Sequence, residues 1–136
     1  MQYENIFYKT SDHLLDIEFL FVDLGEEKGW RAYILTNINY KMFSKSRSDE
    51  YNDVHRLCEE DKHIEALIWR FMFMTRSKDC SDFDISYICW TKVISSLENM
   101  KKVAAMWSEI TAFYIRNGGS FQDIQPILNK LGIISM

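Results

Sequence analysis

The chain has 136 residues, of which 47% are hydrophobic and 15% aromatic, and its formal net charge is −4. This length and composition predict a single domain over residues 1–136 with a sizeable core, and they exclude an intrinsically disordered chain. No stretch approaches the roughly 18 apolar residues of a membrane-spanning helix, and the polar residues 1–10 do not resemble a secretory signal.

The first part of the chain predicts two adjoining strands. A short strand is expected over residues 5–8, followed by a turn at Ser11 and Asp12. Residues 15–24 begin with a strict alternation of polar and apolar side chains, which is typical of a half-buried strand.

A hairpin is expected next. Residues 25–29 begin and end with glycine and predict a turn, and residues 30–40 form a second β-rich run. Two such runs joined by a short glycine-bounded loop predict an antiparallel hairpin. Residues 42–52 are polar without a sustained period, so we expect an exposed loop there.

The middle of the chain is the least regular part. A third strand is expected over residues 54–57, followed by a helix over residues 59–77 that has acidic residues early and basic residues late, as suits the helix dipole. The run at residues 69–73 is also compatible with a strand. A loop over residues 78–83 precedes a buried strand over residues 85–90.

The longest predicted element is an amphipathic helix over residues 96–116. Ser95 and Glu98 have the spacing of a capping box at its start, and Gly118 and Gly119 are typical of its end. Apolar and small side chains recur at helical spacing along one face of it: Leu97, Met100, Val103, Ala104, Trp107, Ile110, Thr111 and Tyr114.

The C-terminal segment contains the single proline. Ser120 is expected to cap this segment, and Pro126 is expected to break it into a turn and then a short helix that starts near Pro126 and ends at Gly132. The predicted fold class is α+β. An antiparallel sheet of about three to five strands packs against the long C-terminal amphipathic helix and one or two further helices.

The cysteines and histidines do not have the spacing of a metal or nucleophile site. Cys58 and His63 are residue types that bind zinc, but the sequence contains no Cys-x2-Cys pair. Cys89 lies between apolar residues inside a predicted strand, where a cysteine usually acts as a small core hydrophobe. With three cysteines and no export signal, we expect reduced thiols in a cytoplasmic protein, no metal site and no cofactor.

The charge is uneven along the chain, and this defines two candidate binding sets. Residues 1–29 contain seven acidic and two basic residues, residues 30–48 contain four basic and no acidic residue, and residues 49–61 contain six acidic and one basic residue. Acidic segments are typical of a solvated face or of a surface that docks on a basic partner. The candidate partner-binding acids are Asp23, Glu26, Glu27, Asp49, Glu50 and Asp53.

The alternative set is basic. Arg31, Lys41, Lys45 and Arg47 are interleaved with aromatic residues, a pattern typical of single-stranded nucleic-acid binders. The set is small and flanked by acids, whereas a protein that grips a duplex usually has a net basic footprint. The other interpretation is that these lysines only keep a loop soluble.

Three blocks of the chain are similar to a known group of proteins: GWRAYIL at residues 29–35, YICW at residues 87–90 and MWSEITAFYIR at residues 106–116. The pattern resembles small uncharacterised accessory proteins of phages and conjugative elements from gut Firmicutes. None of the blocks is a catalytic motif. The resemblance implies a product of a mobile genetic element, and such short acidic proteins are often inhibitors of host defence, including anti-CRISPR proteins.

These observations favour binding over catalysis. The sequence contains no Walker loop, no Gly-x-Ser-x-Gly and no His-Glu-x-x-His motif. We expect a non-enzymatic protein-interaction module, with a nucleic-acid-handling effector such as a CRISPR nuclease as its partner and no membrane association. A regulatory nucleic-acid binder that uses the loop around residues 31–47 is the alternative, and a homodimer built on the long helix is compatible with both.

Overall fold

The structure, a computed structural model, describes residues 2–47, 57–59, 64, 66, 68, 86–90 and 92–134. Within these residues the chain forms five strands and two complete helices. The elements are β1 (Tyr3–Lys9), β2 (Asp16–Asp23), β3 (Trp30–Ile34), β4 (Leu57–Glu59), β5 (Ser86–Ile88), α1 (Leu97–Asn117) and α2 (Phe121–Lys130). The α+β class is confirmed.

The five strands form one antiparallel sheet in the order β1-β2-β3-β5-β4. The predicted hairpin is confirmed, because β2 and β3 pair in register from Phe19 opposite Ile34 to Asp23 opposite Trp30. The turn that joins them closes through a hydrogen bond from the Gly29 N–H to the Gly25 carbonyl. The predicted turn at Ser11 and Asp12 is also present.

Strand β2 is buried on both faces, so the prediction of a half-buried strand is wrong. Ile17, Phe19 and Phe21 face the main core, while Leu20 and Val22 belong to a second cluster on the opposite face. The alternation at the start of the strand is real, but Glu18 is buried as well. A strand covered on both faces reads as a continuous apolar run, and residues 19–22 have that pattern.

Strand β3 ends at Ile34, whereas the β-rich run predicts a strand as far as residue 40. The Leu35 N–H still bonds to the Glu18 carbonyl at 2.9 Å. The Thr36 hydroxyl then accepts the Glu18 N–H at 2.8 Å, a position at which a strand would offer a backbone carbonyl. This side-chain bond ends the ladder, since it gives the backbone an alternative partner.

The middle segment differs from the prediction at its start. Glu59 was expected to begin a helix, but it pairs with Ser86 as part of β4. Ile64, Ala66 and Ile68 are helical, as expected, and Ile68 is buried in the second cluster. The predicted strand over residues 54–57 overlaps β4 at Leu57, and its other residues lie outside the described ones, as does the loop over residues 78–83.

Helix α1 packs its predicted apolar face on the sheet. Trp107 is fully buried, and its ring meets Phe19 of β2 edge to face at a centroid distance of 6.3 Å. The N-cap is Ser96, whose hydroxyl accepts the Asn99 N–H at 3.2 Å, so the predicted capping box on Ser95 is off by one residue. At the other end, Gly118 has φ of 78° and donates its N–H to the Tyr114 carbonyl.

Helix α2 is continuous through Pro126, so the predicted break is wrong. The helix begins at Phe121, where the Ser120 hydroxyl accepts the Asp123 N–H. Proline there removes one backbone donor from the second turn. Burial of Phe121, Ile124 and Leu128 against the core stabilises the helix on both sides of the proline. The end near Gly132 is confirmed, since Gly132 has φ of 74° and follows the last turn.

Candidate functional site

A cleft opens where strand β3 begins. The Trp30 N–H bonds to the Ile94 carbonyl at 2.8 Å, so the segment before α1 runs beside the start of the strand. Gly29 makes this approach possible, because a Cβ there would collide with the Ile94 carbonyl oxygen and with the Val93 side chain. Gly29 also has φ of 67°, which favours glycine. These contacts fix one wall of the cleft.

The cleft, here named the Trp30 cleft, has a volume of about 220 Å3. Three half-buried aromatic residues line it: Trp30, Tyr87 and Trp90. Its charged lining residues are Glu27, Lys28, Arg31 and Lys92, and its apolar ones are Ile88, Val93, Ile94 and Met100. The described part of the lining therefore combines aromatic residues with three basic side chains and one acidic side chain.

Arg31 is stacked within the cleft. Its guanidinium carbon lies 4.2 Å from the centroid of the Tyr87 ring, a cation–π distance. Tyr87 pairs with Tyr33 across β3 and β5, and their rings meet at 6.0 Å with an angle of 63°. Arg31 lies two residues before Tyr33 on the same face of β3, which places it diagonal to Tyr87. Arg31 therefore helps to form the cleft.

The predicted acidic set is present at the turn between β2 and β3. Glu26 and Glu27 are exposed there, while Asp23 is half-buried and accepts the Gly25 N–H at 3.0 Å. These three residues are here named the acidic turn. Asp49, Glu50 and Asp53 lie outside the described residues.

The predicted basic set is divided between two places. Arg31 lies at the start of β3, next to the segment that leads into α1. Arg47 lies at the other end of α1, where its Nε donates to the carbonyls of Tyr114 at 2.8 Å and Ile115 at 3.2 Å. A helix of 21 residues spans roughly 30 Å, which is the scale of the separation between them. Lys41 and Lys45 are exposed in the loop that leads to Arg47.

A buried polar cluster connects α1 to the β1–β2 turn. Glu109, only 5% exposed, accepts the Tyr8 hydroxyl at 2.8 Å, the Ser11 N–H at 3.0 Å and the Ser11 hydroxyl at 2.9 Å. Burial and the adjacent Glu109 carboxyl raise the pKa of Tyr8 well above its ordinary value. Tyr8 therefore remains a donor, and the cluster joins elements that are far apart in the sequence.

The Tyr8–Glu109 pair borders a second cleft of about 190 Å3, which is also lined by Lys102, Met106 and Ile133. The Glu109 oxygens already accept bonds from Tyr8 and Ser11, which gives the pair a structural role. Glu109 was not among the residues predicted to be functional. The signal that could have indicated it is an acidic residue within the apolar part of a helix, where its neighbours Ser108 and Ile110 are buried.

An apolar surface lies at the C-terminal end of α2. Ile127 and Leu131 are one helical turn apart and are 44% and 65% exposed, and Ile133 just beyond them is 41% exposed. These three side chains are here named the α2 stripe. These residues were not predicted to form a surface, because a break was expected at Pro126. The helix is in fact continuous, and it places Ile127 and Leu131 on the same side.

Cys89 does not carry the reduced thiol that was expected, because it is disulfide-bonded. It therefore offers no thiolate nucleophile in this state. In the described part of the chain, no group of three or more His, Cys, Asp or Glu side chains could hold a metal ion. Of the histidines, His13 lies in the β1–β2 turn with φ of 62°, and His55 and His63 lie outside the described residues.

Among the described residues no helix is long and apolar enough to cross a bilayer. No model of a known protein family matches the chain, and no curated protein or solved structure is found to be similar to it.

Proposed function

We propose that the chain is a non-enzymatic protein-interaction module that binds a partner protein through the α2 stripe. The observation that carries this proposal is the exposure of three large aliphatic side chains, Ile127, Leu131 and Ile133, at the end of one helix. Contiguous exposed apolar side chains with polar neighbours are typical of protein-binding surfaces. Burying them on a partner would remove apolar surface from water, the main favourable term in most protein associations.

The acidic turn would act at longer range. Glu26 and Glu27 are exposed on a projecting turn, and the chain as a whole has a net charge of −4. Complementary charge accelerates association with a basic partner more than it strengthens the final complex. In the mobile-element context that the sequence resemblance implies, such a partner would be a nucleic-acid-handling effector, for example a CRISPR nuclease, and binding would occlude its basic channel.

The direct test is an affinity pulldown from a bacterial lysate, carried out with and without nuclease treatment and followed by mass spectrometry. We expect a stoichiometric protein partner that the wild-type chain retains and that Leu131→Lys loses. Gln122→Lys is the matched control, because it adds the same charge at another exposed position of α2. Recovery of nucleic acid alone, or equal retention by both variants, would contradict the proposal.

A kinetic measurement tests the acidic turn separately. Reversing both charges with Glu26→Lys and Glu27→Lys should slow association with the captured partner several-fold at low salt and leave dissociation nearly unchanged. High salt should remove the difference, because screening shortens the reach of exposed charges to about a Debye length. A change confined to the dissociation rate would argue against steering.

A further inference from the structure

The Trp30 cleft has a chemistry that the α2 stripe lacks. Trp30, Tyr87 and Trp90 contribute to its lining, and among the lining residues that the structure describes Lys28, Arg31 and Lys92 outnumber the acid Glu27. Aromatic surface next to positive charge is the arrangement that holds single-stranded nucleic acid, in which bases stack and phosphates pair with cations. We infer that the Trp30 cleft binds a nucleotide unit, with its base on the tryptophans and its phosphate near Lys28 and Lys92.

Two tryptophans from neighbouring segments of the chain line the cleft. Trp30 is the first residue of β3, and Trp90 lies two residues beyond the end of β5, the strand that pairs with β3. Trp30 is held by its backbone bond to Ile94, and both rings are half-buried. Half-buried rings on a sheet keep their position before a ligand arrives, which lowers the entropic cost of stacking.

The size of the cleft also favours this ligand. Sites for drug-sized ligands usually occupy about 300–1,000 Å3. The Trp30 cleft, at about 220 Å3, is smaller, and it matches one base with its sugar and phosphate better than a dinucleotide cofactor. A single nucleotide can arrive free or as one unit of a strand, and the two sources share the same chemistry.

The cleft and the α2 stripe consist of different residues with different chemistry. Lys28 and Lys92 are exposed at the cleft, whereas the α2 stripe consists of aliphatic side chains. The guanidinium of Arg31, which lies over the Tyr87 ring, adds a third positive charge to the lining. Glu27 of the acidic turn also lines the cleft, so the nucleotide site is distinct from the α2 stripe and adjoins the acidic turn.

The test measures binding of a fluorescently labelled ten-nucleotide single strand at low salt, with AMP and inorganic phosphate as competitors. The double variant Lys28→Ala/Lys92→Ala should weaken binding roughly 10-fold or more, and it should reduce the slope of log affinity against log salt by about 1.4. The matched control is Lys9→Ala/Lys130→Ala, which removes two exposed charges from residues that do not line the cleft.

A second pair of variants tests stacking. Trp90→Leu should weaken binding roughly 10-fold, while Trp90→Phe keeps an aromatic face and should retain most of the affinity. Circular dichroism confirms that each variant is folded. Competition by AMP and not by phosphate would show that the free nucleotide suffices, whereas no competition by either would show that a strand is needed.

Three results would overturn the inference. They are absence of binding by the wild-type chain at low salt, equal weakening by the two lysine double variants, and equal affinity for a polyglutamate peptide of the same charge. The α2 variant Leu131→Lys should leave oligonucleotide binding unchanged, so failure of one proposal is distinguishable from failure of the other.

Discussion

Glu109 is an acidic side chain on the amphipathic helix α1, and its hydrogen bonds explain why it is buried there. Tyr8 of β1 and Ser11 of the β1–β2 turn satisfy its oxygens, and Tyr8 lies 101 positions away in the sequence. A buried carboxyl that lacked these donors would strongly destabilise the fold. The cluster therefore fixes how the β1–β2 turn docks on α1.

Replacing Tyr8 with phenylalanine tests this contact. We expect Tyr8→Phe to lower the free energy of unfolding at pH 7 by about 1.5–3 kcal/mol, the range for a hydrogen bond to a charged group. Urea unfolding monitored by circular dichroism measures the change. Tyr8 lines the second cleft, the one that Glu109 also lines. Binding assays on Tyr8→Phe therefore check that the substitution changes only the stability of the fold.

The same contact has a predicted pH dependence. The fold raises the pKa of Tyr8 above its unfolded value of 10.0, so the contribution of Tyr8 to stability is complete below pH 10 and is lost as the pH rises through the higher folded value. The stability difference between the wild type and Tyr8→Phe should therefore shrink above pH 10. A difference that stays constant as the pH rises from about 8 to 11 would contradict this account.

Arg47 is a second residue whose role depends on distant contacts. Its guanidinium donates to carbonyls in the last turn of α1, where a cation also interacts favourably with the helix dipole. Arg47→Ala should destabilise the protein by about 1–2 kcal/mol. Lys45→Ala, in the same loop but exposed, should change stability by less than about 0.5 kcal/mol. Equal effects in thermal unfolding would show that Arg47 does not cap α1.

Among the helices and strands, α1 begins with a different cap from the one predicted: the N-cap is Ser96, one residue after Ser95. Ser96 accepts the Asn99 N–H, whereas Ser95 is exposed and precedes the cap. Ser96→Ala should therefore cost about 1 kcal/mol of stability, and Ser95→Ala should cost little. Chemical denaturation of the two variants side by side measures this, and the opposite order would restore the predicted capping box.

The strands show why local patterns give the type of an element more reliably than its environment. Alternation in β2 correctly separates its two faces, because successive side chains of a strand point in opposite directions. The pattern does not reveal that Ile64 and Ile68 cover the second face. That cover comes from a segment more than forty positions later in the chain. Burial is set by such long-range packing, and so β2 was wrongly expected to be half-buried.

At the scale of the whole molecule, the two proposed surfaces lie on different elements. The α2 stripe depends on a helix that packs beside α1, and the Trp30 cleft depends on β3, β5 and the segment before α1. Variants at one surface should therefore be additive with variants at the other, since distant sites that share no contacts seldom couple.

The disulfide at Cys89 gives a prediction for the whole chain. Titration of the denatured, unreduced protein should yield fewer free thiols than the three cysteines of the sequence, and prior reduction should restore all three. Such bonds are rare in cytosolic proteins, where glutathione and thioredoxin keep thiols reduced. Three free thiols in protein purified without reductant would show that Cys89 is reduced in solution.

Local patterns in the sequence are enough to predict the α+β class, the phase of the hairpin strands and the buried face of α1, because these follow from periodicities that neighbouring residues create. The charge pattern also indicates Arg31 and the residues of the acidic turn. Long-range packing is what lets Arg47 cap α1, brings Glu109 to Tyr8 and joins Trp90 and Lys92 to Trp30 in one cleft. These contacts join residues tens of positions apart, and no local period encodes which distant side chain will supply a partner.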